Sequence, residues 1–175
     1  MPTQHRRFTD FDGNTKMLGA LLVGWRGTIY EKEINQLLAK HDLVDIDPSG
    51  WYPVAKVLEF LTEIEEHYNV YDLIGIGKHI GTNFEIPEPY RDMEAYLMAT
   101  DTFYQMPYQG KAPGSITPQK IADRRIRLTL HTPWPANYWY GTFYGLTHQL
   151  AGPDDKVALY LTVIDEVTCM LEINW

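Results

Sequence analysis

The apolar positions of this chain change their period part-way along it. In "EKEINQLLAKH" (31–41), Ile34, Leu37, Leu38 and His41 recur at the three- and four-residue spacing of one helical face. "PVAKVLEFLTEIEEHY" (53–68) repeats that spacing with Val54, Val57, Leu58, Leu61, Ile64 and Tyr68, and Pro53 suits a first helical turn. "NYWYGTFYGLTHQLAG" (137–152) carries a third stripe, Trp139, Phe143, Leu146 and Leu150, with Gly152-Pro153 as a stop. Composition and flanking prolines mark "YRDMEAYLMATDTFY" (90–104) as a fourth helix.

Elsewhere the period is two. "RIRLTLH" (125–131) turns Ile126, Leu128 and Leu130 inward and leaves Arg125 and Arg127 on a solvated face. "KVALYLTVI" (156–164) and "VTCMLEINW" (167–175) alternate in the same way on either side of Asp165-Glu166, which reads as a hairpin turn. "MPYQGKAPGSITPQK" (106–120), rich in Pro and Gly, reads as a loop. Helices first, then strand, helix and hairpin, give an α+β fold: N-terminal helices packed on a small antiparallel sheet, with strand-helix-hairpin at the C-terminal end. At 175 residues the expectation is one domain over 1–175, with 1–16 as a flexible N-terminal segment.

The glycines of "YDLIGIGKHIG" (71–81) raise the question of a phosphate loop. A dinucleotide fingerprint needs G-x-G-x-x-G directly after a strand, whereas Gly75, Gly77 and Gly81 give one residue more and follow a helix. Lys78 is followed by His79, so no Walker-type G-K-[ST] exists either. At helical spacing Gly77 and Gly81 share a face, where small residues let a neighbouring helix approach closely. They read as packing glycines.

Charge and chemistry narrow the function by subtraction. A formal charge of −8 argues against nucleic acid as a partner. The lone Cys169 excludes an intramolecular disulfide or a cysteine metal cluster, and on the apolar face of its strand it reads as an inert thiol. "DIDPSGW" (45–51) imitates the start of a calcium loop, but Lys56 stands where the twelfth-position Glu belongs, so Asp47 or Ser49 reads as a helix cap. The N-terminus lacks the apolar segment of a signal peptide, and "MLGALLVGW" (17–25) is too short to span a bilayer, so the expectation is a cytoplasmic protein without a membrane span. No G-x-S-x-G elbow occurs, the histidines lack metal-ligand spacing, and no catalytic pair stands out among 23 carboxylates. Neither catalytic nor metal residues are assigned, and the chain is not read as an enzyme.

What remains is the aromatic helix "WPANYWYGTFYGLTHQL" (134–150). Trp139 and Phe143 serve the core stripe, Tyr140 and Tyr144 share a second face, and Gly141 and Gly145 make a smooth third. A helix aromatic most of the way round is deeply buried, borders an apolar cavity, or faces a partner copy. Phe103, Tyr104, Trp134, Trp139, Tyr140, Phe143 and Tyr144 are the candidate pocket walls, with His131 or His148 as the polar contact.

The order of these features resembles the heme nitric-oxide/oxygen-binding (H-NOX) superfamily and its relatives, the 4-vinyl reductase-type domains and the Golgi transport-particle subunits. "GTIYEKEINQLLAKHDL" is similar to the leading helical region, "WYPVAKVLEFLTEI" to the Tyr-Pro helix start, and "VYDLIGIGKHIGTNF" to the short helix with a glycine face. "IRLTLHTP…WYGTFYGLTHQLAG" resembles the strand and following helix, and "VALYLTVIDEVTCMLEINW" the final hairpin. Heme-binding members use a proximal His on the helix before the sheet and a Tyr-x-Ser-x-Arg motif. Here no His lies between His79 and His131, so "MEAYLMATDTFYQM" supplies no ligand, and "LTLHTPW" replaces the motif. The resemblance therefore implies a non-catalytic module that binds an apolar small molecule, with heme unassigned, a sensory or regulatory role and a signalling protein partner. The alternatives are a structural homodimer or protein-interaction module that uses the aromatic helix as its interface and, after it, an enzyme of unrecognised type.

Overall fold

The computed structural model describes residues 11, 13–24, 31–67 and 69–175. Most of the segment expected to be flexible, residues 27–30 of the leading helical region, and Tyr68 of the second stripe lie outside the described residues.

The elements run β1 (Lys16–Leu18), α1 (Gly19–Val23), α2 (Glu31–Lys40), β2 (Trp51–Pro53), α3 (Val54–His67) and α4 (Val70–Asn83). A 3-10 turn (Glu88–Tyr90), α5 (Met93–Met98), α6 (Thr100–Gln105) and β3 (Tyr108–Gln109) follow. The C-terminal part is β4 (Ser115–Ala122), β5 (Arg125–His131), α7 (Ala136–Leu150), β6 (Ala158–Val163) and β7 (Thr168–Asn174). The fold is α+β, with a four-stranded antiparallel sheet in the order β4-β5-β7-β6 and a small sheet β2-β1-β3.

The two-residue alternation of β5 and β7 becomes one wet and one dry face. Leu128 lies opposite Leu171 and Leu130 opposite Cys169, all on the buried side. On the other side Glu172 of β7 accepts hydrogen bonds from Arg125 Nε at 2.9 Å and Arg127 Nη2 at 3.2 Å. Three charges across two strands keep that face in water.

Three expectations need correction. The stretch read as a loop contains β4, with Pro118 opposite Leu128. Pro cannot donate to a sheet ladder, yet β4 is an edge strand, where the missing N–H costs no pairing. The fourth helix is two: Ala99, with φ −95° and ψ 5°, breaks it, and the Thr100 hydroxyl donates to Leu97 O at 2.7 Å. Asp47 does not cap α3, because its carboxylate accepts from Ser49 N and Ser49 Oγ within its own turn, and Val54 N donates to Thr15 O instead.

The helix α4 starts where its sequence tells it to. Asn69 Oδ1 accepts from Tyr71 N at 2.8 Å, and Asp72 Oδ2 accepts from Asn69 N at 3.0 Å, satisfying two donors at the helix start. Its glycines then meet those of α7. A Cβ on Gly77 would sit 2.1 Å from Tyr138 O, on Gly81 2.0 Å from Thr142 O, and on Gly141 2.1 Å from Ile74 O. All three clashes are with backbone, so the two helices touch main chain to main chain. These are packing glycines, and they fix where the aromatic helix stands.

Candidate functional site

That close crossing turns the rest of α7 in a definite direction. Trp139, Thr142, Phe143 and Leu146 look into a cavity of about 410 Å³. Ile80 and Phe84, at the end of α4, form the adjacent wall. Tyr96, Thr100, Phe103 and Tyr104 close the side opposite, and Met17, Leu18 and Leu21 of β1 and α1 another. Ile116, Trp134 and Tyr108 complete the end toward the sheets. The volume falls within the roughly 300–1,000 Å³ of small-molecule pockets.

The walls are rings. Tyr96 and Phe103 stack at 5.0 Å between centroids, and Phe84 meets both edge-on at 6.3 Å. Tyr104 packs edge-on against Trp139 at 5.7 Å, and Trp139 lies tilted at 34° to Phe143, 5.9 Å away. Such contacts hold aromatic side chains in fixed rotamers around the space they enclose.

Most of the polar atoms on these walls have protein partners. Trp139 Nε1 donates to Thr132 Oγ1 at 2.8 Å, and Trp134 Nε1 donates to Tyr108 Oη at 3.0 Å. Tyr104 Oη donates to Pro113 O at 2.5 Å, and Thr142 Oγ1 to Tyr138 O at 2.9 Å. Burial pushes the phenols of Tyr96, Tyr104 and Tyr108 well above their ordinary pKa, so all three stay protonated at physiological pH. No Lys, Arg, His or Cys stands among the described lining residues, and the one carboxylate, Glu85, is exposed.

Of the nine residues read as pocket candidates, the cavity gathers Phe103, Tyr104, Trp134, Trp139 and Phe143. Tyr140, Tyr144, His131 and His148 stand elsewhere. Tyr140, Tyr144 and His148 repeat every four residues on the second face of α7, which the glycine crossing turns away from the cavity. His148 is exposed, stacks on Tyr144 at 4.0 Å, and its Nδ1 lies 2.8 Å from Tyr144 O, while Lys78 Nζ sits 5.0 Å from the Tyr144 ring centre. His131 ends β5 in solvent, its Nδ1 3.0 Å from Thr168 Oγ1. Neither histidine contacts the cavity.

Ile80, Phe84, Tyr96, Thr100 and Tyr108 are lining residues that the sequence reading missed. The signal existed: Ile80 and Phe84 continue the face of Gly77 and Gly81, and Tyr96, Thr100, Phe103 and Tyr104 recur at helical spacing. A further open cleft, of about 630 Å³, includes Arg91, Glu94, Arg124 and Asp155. Arg91 pairs with Glu88, Glu94 with Lys120 and Arg124 with Asp155, and Asp92, also on the cleft's lining, caps α5 by accepting from Ala95 N. Among the described residues no group of three or more His, Cys, Asp or Glu is placed to hold a metal ion, and no helix is long and apolar enough to cross a membrane.

No family model and no curated protein matches this chain. Solved structures do. An H-NOX protein from S. oneidensis in the Fe(II)NO ligation state superposes with a TM-score of 0.69 at 14% identity, over 90% of this chain and 98% of that one. The fold is H-NOX-like. An oxygen-binding H-NOX domain related to soluble guanylate cyclases gives 0.60 at 12% identity, over 89% of each chain. A point mutant of T. tengcongensis H-NOX gives 0.62 at 13%, over 89% of this chain and 93% of that one. At such identity the H-NOX-like likeness speaks for architecture alone.

Proposed function

We propose that this H-NOX-like domain is a non-catalytic module that binds a neutral, apolar small molecule in the cavity between α7, α4, α5 and α6, in a sensory or regulatory role. One observation carries the reading: about 410 Å³ of space bounded by aromatic and aliphatic side chains whose indoles, and most of whose other polar groups, already have partners. Phe103, Tyr104, Trp134, Trp139 and Phe143 are among its walls. Removing a hydrocarbon from water into such a space is favourable by roughly 25 cal/mol per Å² of apolar surface buried, before the costs of association.

Heme held through a His, as the H-NOX-like pattern holds it, does not fit the residues described here. An axial bond needs a His, Cys, Met or Tyr directed at the iron, and the H-NOX-like pattern assigns that place to a His on the helix before the sheet. Here α5 and α6 carry no His. The two propionates would be buried beside walls that offer no Lys or Arg among the described residues, and an unpaired buried anion is costly. A neutral ligand meets neither objection.

The test is a fluorescence titration of the whole chain with Nile red, a neutral apolar dye. A saturable, blue-shifted signal at one site is expected, and Leu21→Trp, which adds bulk at a half-buried lining position, should abolish it. A response that never saturates, or that survives Leu21→Trp unchanged, contradicts the reading.

A further inference from the structure

The cavity is not uniformly greasy. Tyr96 is 3% exposed and lines it, yet among the described residues no hydrogen bond engages its hydroxyl. The other polar groups of the same wall are spoken for: Tyr104 Oη donates to Pro113 O, Tyr108 Oη accepts from Trp134 Nε1, and Thr100 Oγ1 donates to Leu97 O. Among described residues, Asn174 Oδ1 alone combines full shielding from solvent with the lack of a partner. The Tyr96 hydroxyl is therefore not fully shielded, and Tyr96 belongs to the lining of the cavity. Nor is the ring free to swing away, because it stacks on Phe103 at 12° and meets Phe84 at its edge.

A buried hydroxyl without a partner is costly, and folded proteins seldom keep one unless something else completes it. Resting on the apolar-ligand reading, we propose that Tyr96 is the polar recognition contact of the site, donating a hydrogen bond to a neutral carbonyl-type acceptor on an otherwise hydrocarbon ligand. The phenol suits that part because it stays protonated in its apolar setting and so always has a proton to donate. The acceptor is neutral because the described walls carry no cation to balance an anion. Orientation follows: the carbonyl end points to α5, and the hydrocarbon end lies along Trp139, Phe143 and Leu146 of α7.

Two probes of nearly equal shape separate this from simple greasiness. 2-Acetylnaphthalene and 2-isopropenylnaphthalene differ by a carbonyl oxygen in place of a methylene. Binding of each to the full chain is followed by quenching of tryptophan fluorescence, with wild type and with Tyr96→Phe, which removes the hydroxyl and keeps the stacked ring. The expected result is a five- to tenfold loss of ketone affinity in Tyr96→Phe, the range of one hydrogen bond of about 1–1.4 kcal/mol. The alkene should bind both proteins within about twofold, which also shows that the variant keeps its folded cavity. Ketone binding unchanged by Tyr96→Phe, with both probes still bound, overturns the Tyr96 assignment and leaves the cavity reading standing. Failure of the ketone alone to bind wild type overturns the Tyr96 assignment, and failure of both probes overturns both.

Discussion

Gly75 and Gly77 lie two residues apart on α4 and should respond to alanine in opposite directions. A Cβ at Gly75 has nothing within 4 Å, whereas at Gly77 it meets Tyr138 O at 2.1 Å and Thr142 N at 2.9 Å. Gly75→Ala removes backbone freedom from the unfolded chain at no steric cost, a gain of about 0.5–1 kcal/mol in a helix interior. Gly77→Ala makes the same gain and then loses more. Its Cβ must retreat about 1.3 Å to reach the ~3.4 Å of ordinary contact, and what it strikes is helical backbone. The whole of α4 therefore moves off α7, and a gap of ~0.5–1 Å already forfeits a quarter to a half of each contact along the crossing. Overpacking of this kind costs about 1–3 kcal/mol, and the opened crossing adds to it, so the net loss is expected at about 2 kcal/mol or more. At roughly 2–4 °C per kcal/mol for a chain of this size, Gly77→Ala lowers Tm by about 4–8 °C and Gly75→Ala raises it by about 1–4 °C. Thermal unfolding followed by far-UV circular dichroism reads both. Equal Tm values for the two variants, or a Gly77→Ala protein as stable as wild type, would refute the account of the helix crossing.

Three further outcomes are expected. Cys169 is buried and its thiol pKa is pushed up to about 11 by desolvation, so iodoacetamide should label it slowly in the native protein and fully in urea; fast native labelling contradicts its placement. Arg125, then Arg127, hold Glu172 below its ordinary pKa of 4.5, so its contribution to stability is present above that value and is lost as pH falls through the lower folded value. Urea unfolding of Glu172→Gln should accordingly flatten the acid limb below about pH 4.5, and an unchanged limb would show the pairing to be idle. Titration with hemin should give no saturable Soret band that disappears in His131→Ala or His148→Ala, because both rings lie outside the cavity; a band lost in either variant refutes that geometry.

Much of the architecture is legible from periodicity, and the failures have local causes. The stripes of α2, α3 and α7 and the alternation of β5, β6 and β7 stand in the sequence because one face of each is buried and the other is not. The packing role of Gly77 and Gly81 is readable too, from the wrong spacing for a phosphate loop. β4 escapes because Pro118 and the turn-rich residues before it carry the marks of a loop, and only its place at the sheet edge makes them compatible with a strand. The strands β1, β2 and β3 are three residues or fewer, too short for any alternation to register. At the site, sequence points to α7 but not to which of its faces is open. Trp139 and Phe143 belong to the cavity, and Tyr140 and Tyr144 to the opposite side, because Gly141 and Gly145 lock the helix against α4 in one rotation. Tyr96 could be placed only once the hydrogen bonds of its neighbours were known, since its significance lies in having no partner of its own among the described residues.

The cavity itself is tested most directly by nuclear Overhauser contacts between unlabelled 2-isopropenylnaphthalene and the methyl groups of ¹³C-labelled protein. Contacts to Leu21, Ile80, Ile116 and Leu146, which come from four separate elements and meet only around this space, are the expected result. Contacts confined to the exposed Val163 and Ile164 at the end of β6, or none at all at saturating probe, would contradict the claim that this fold encloses a binding site.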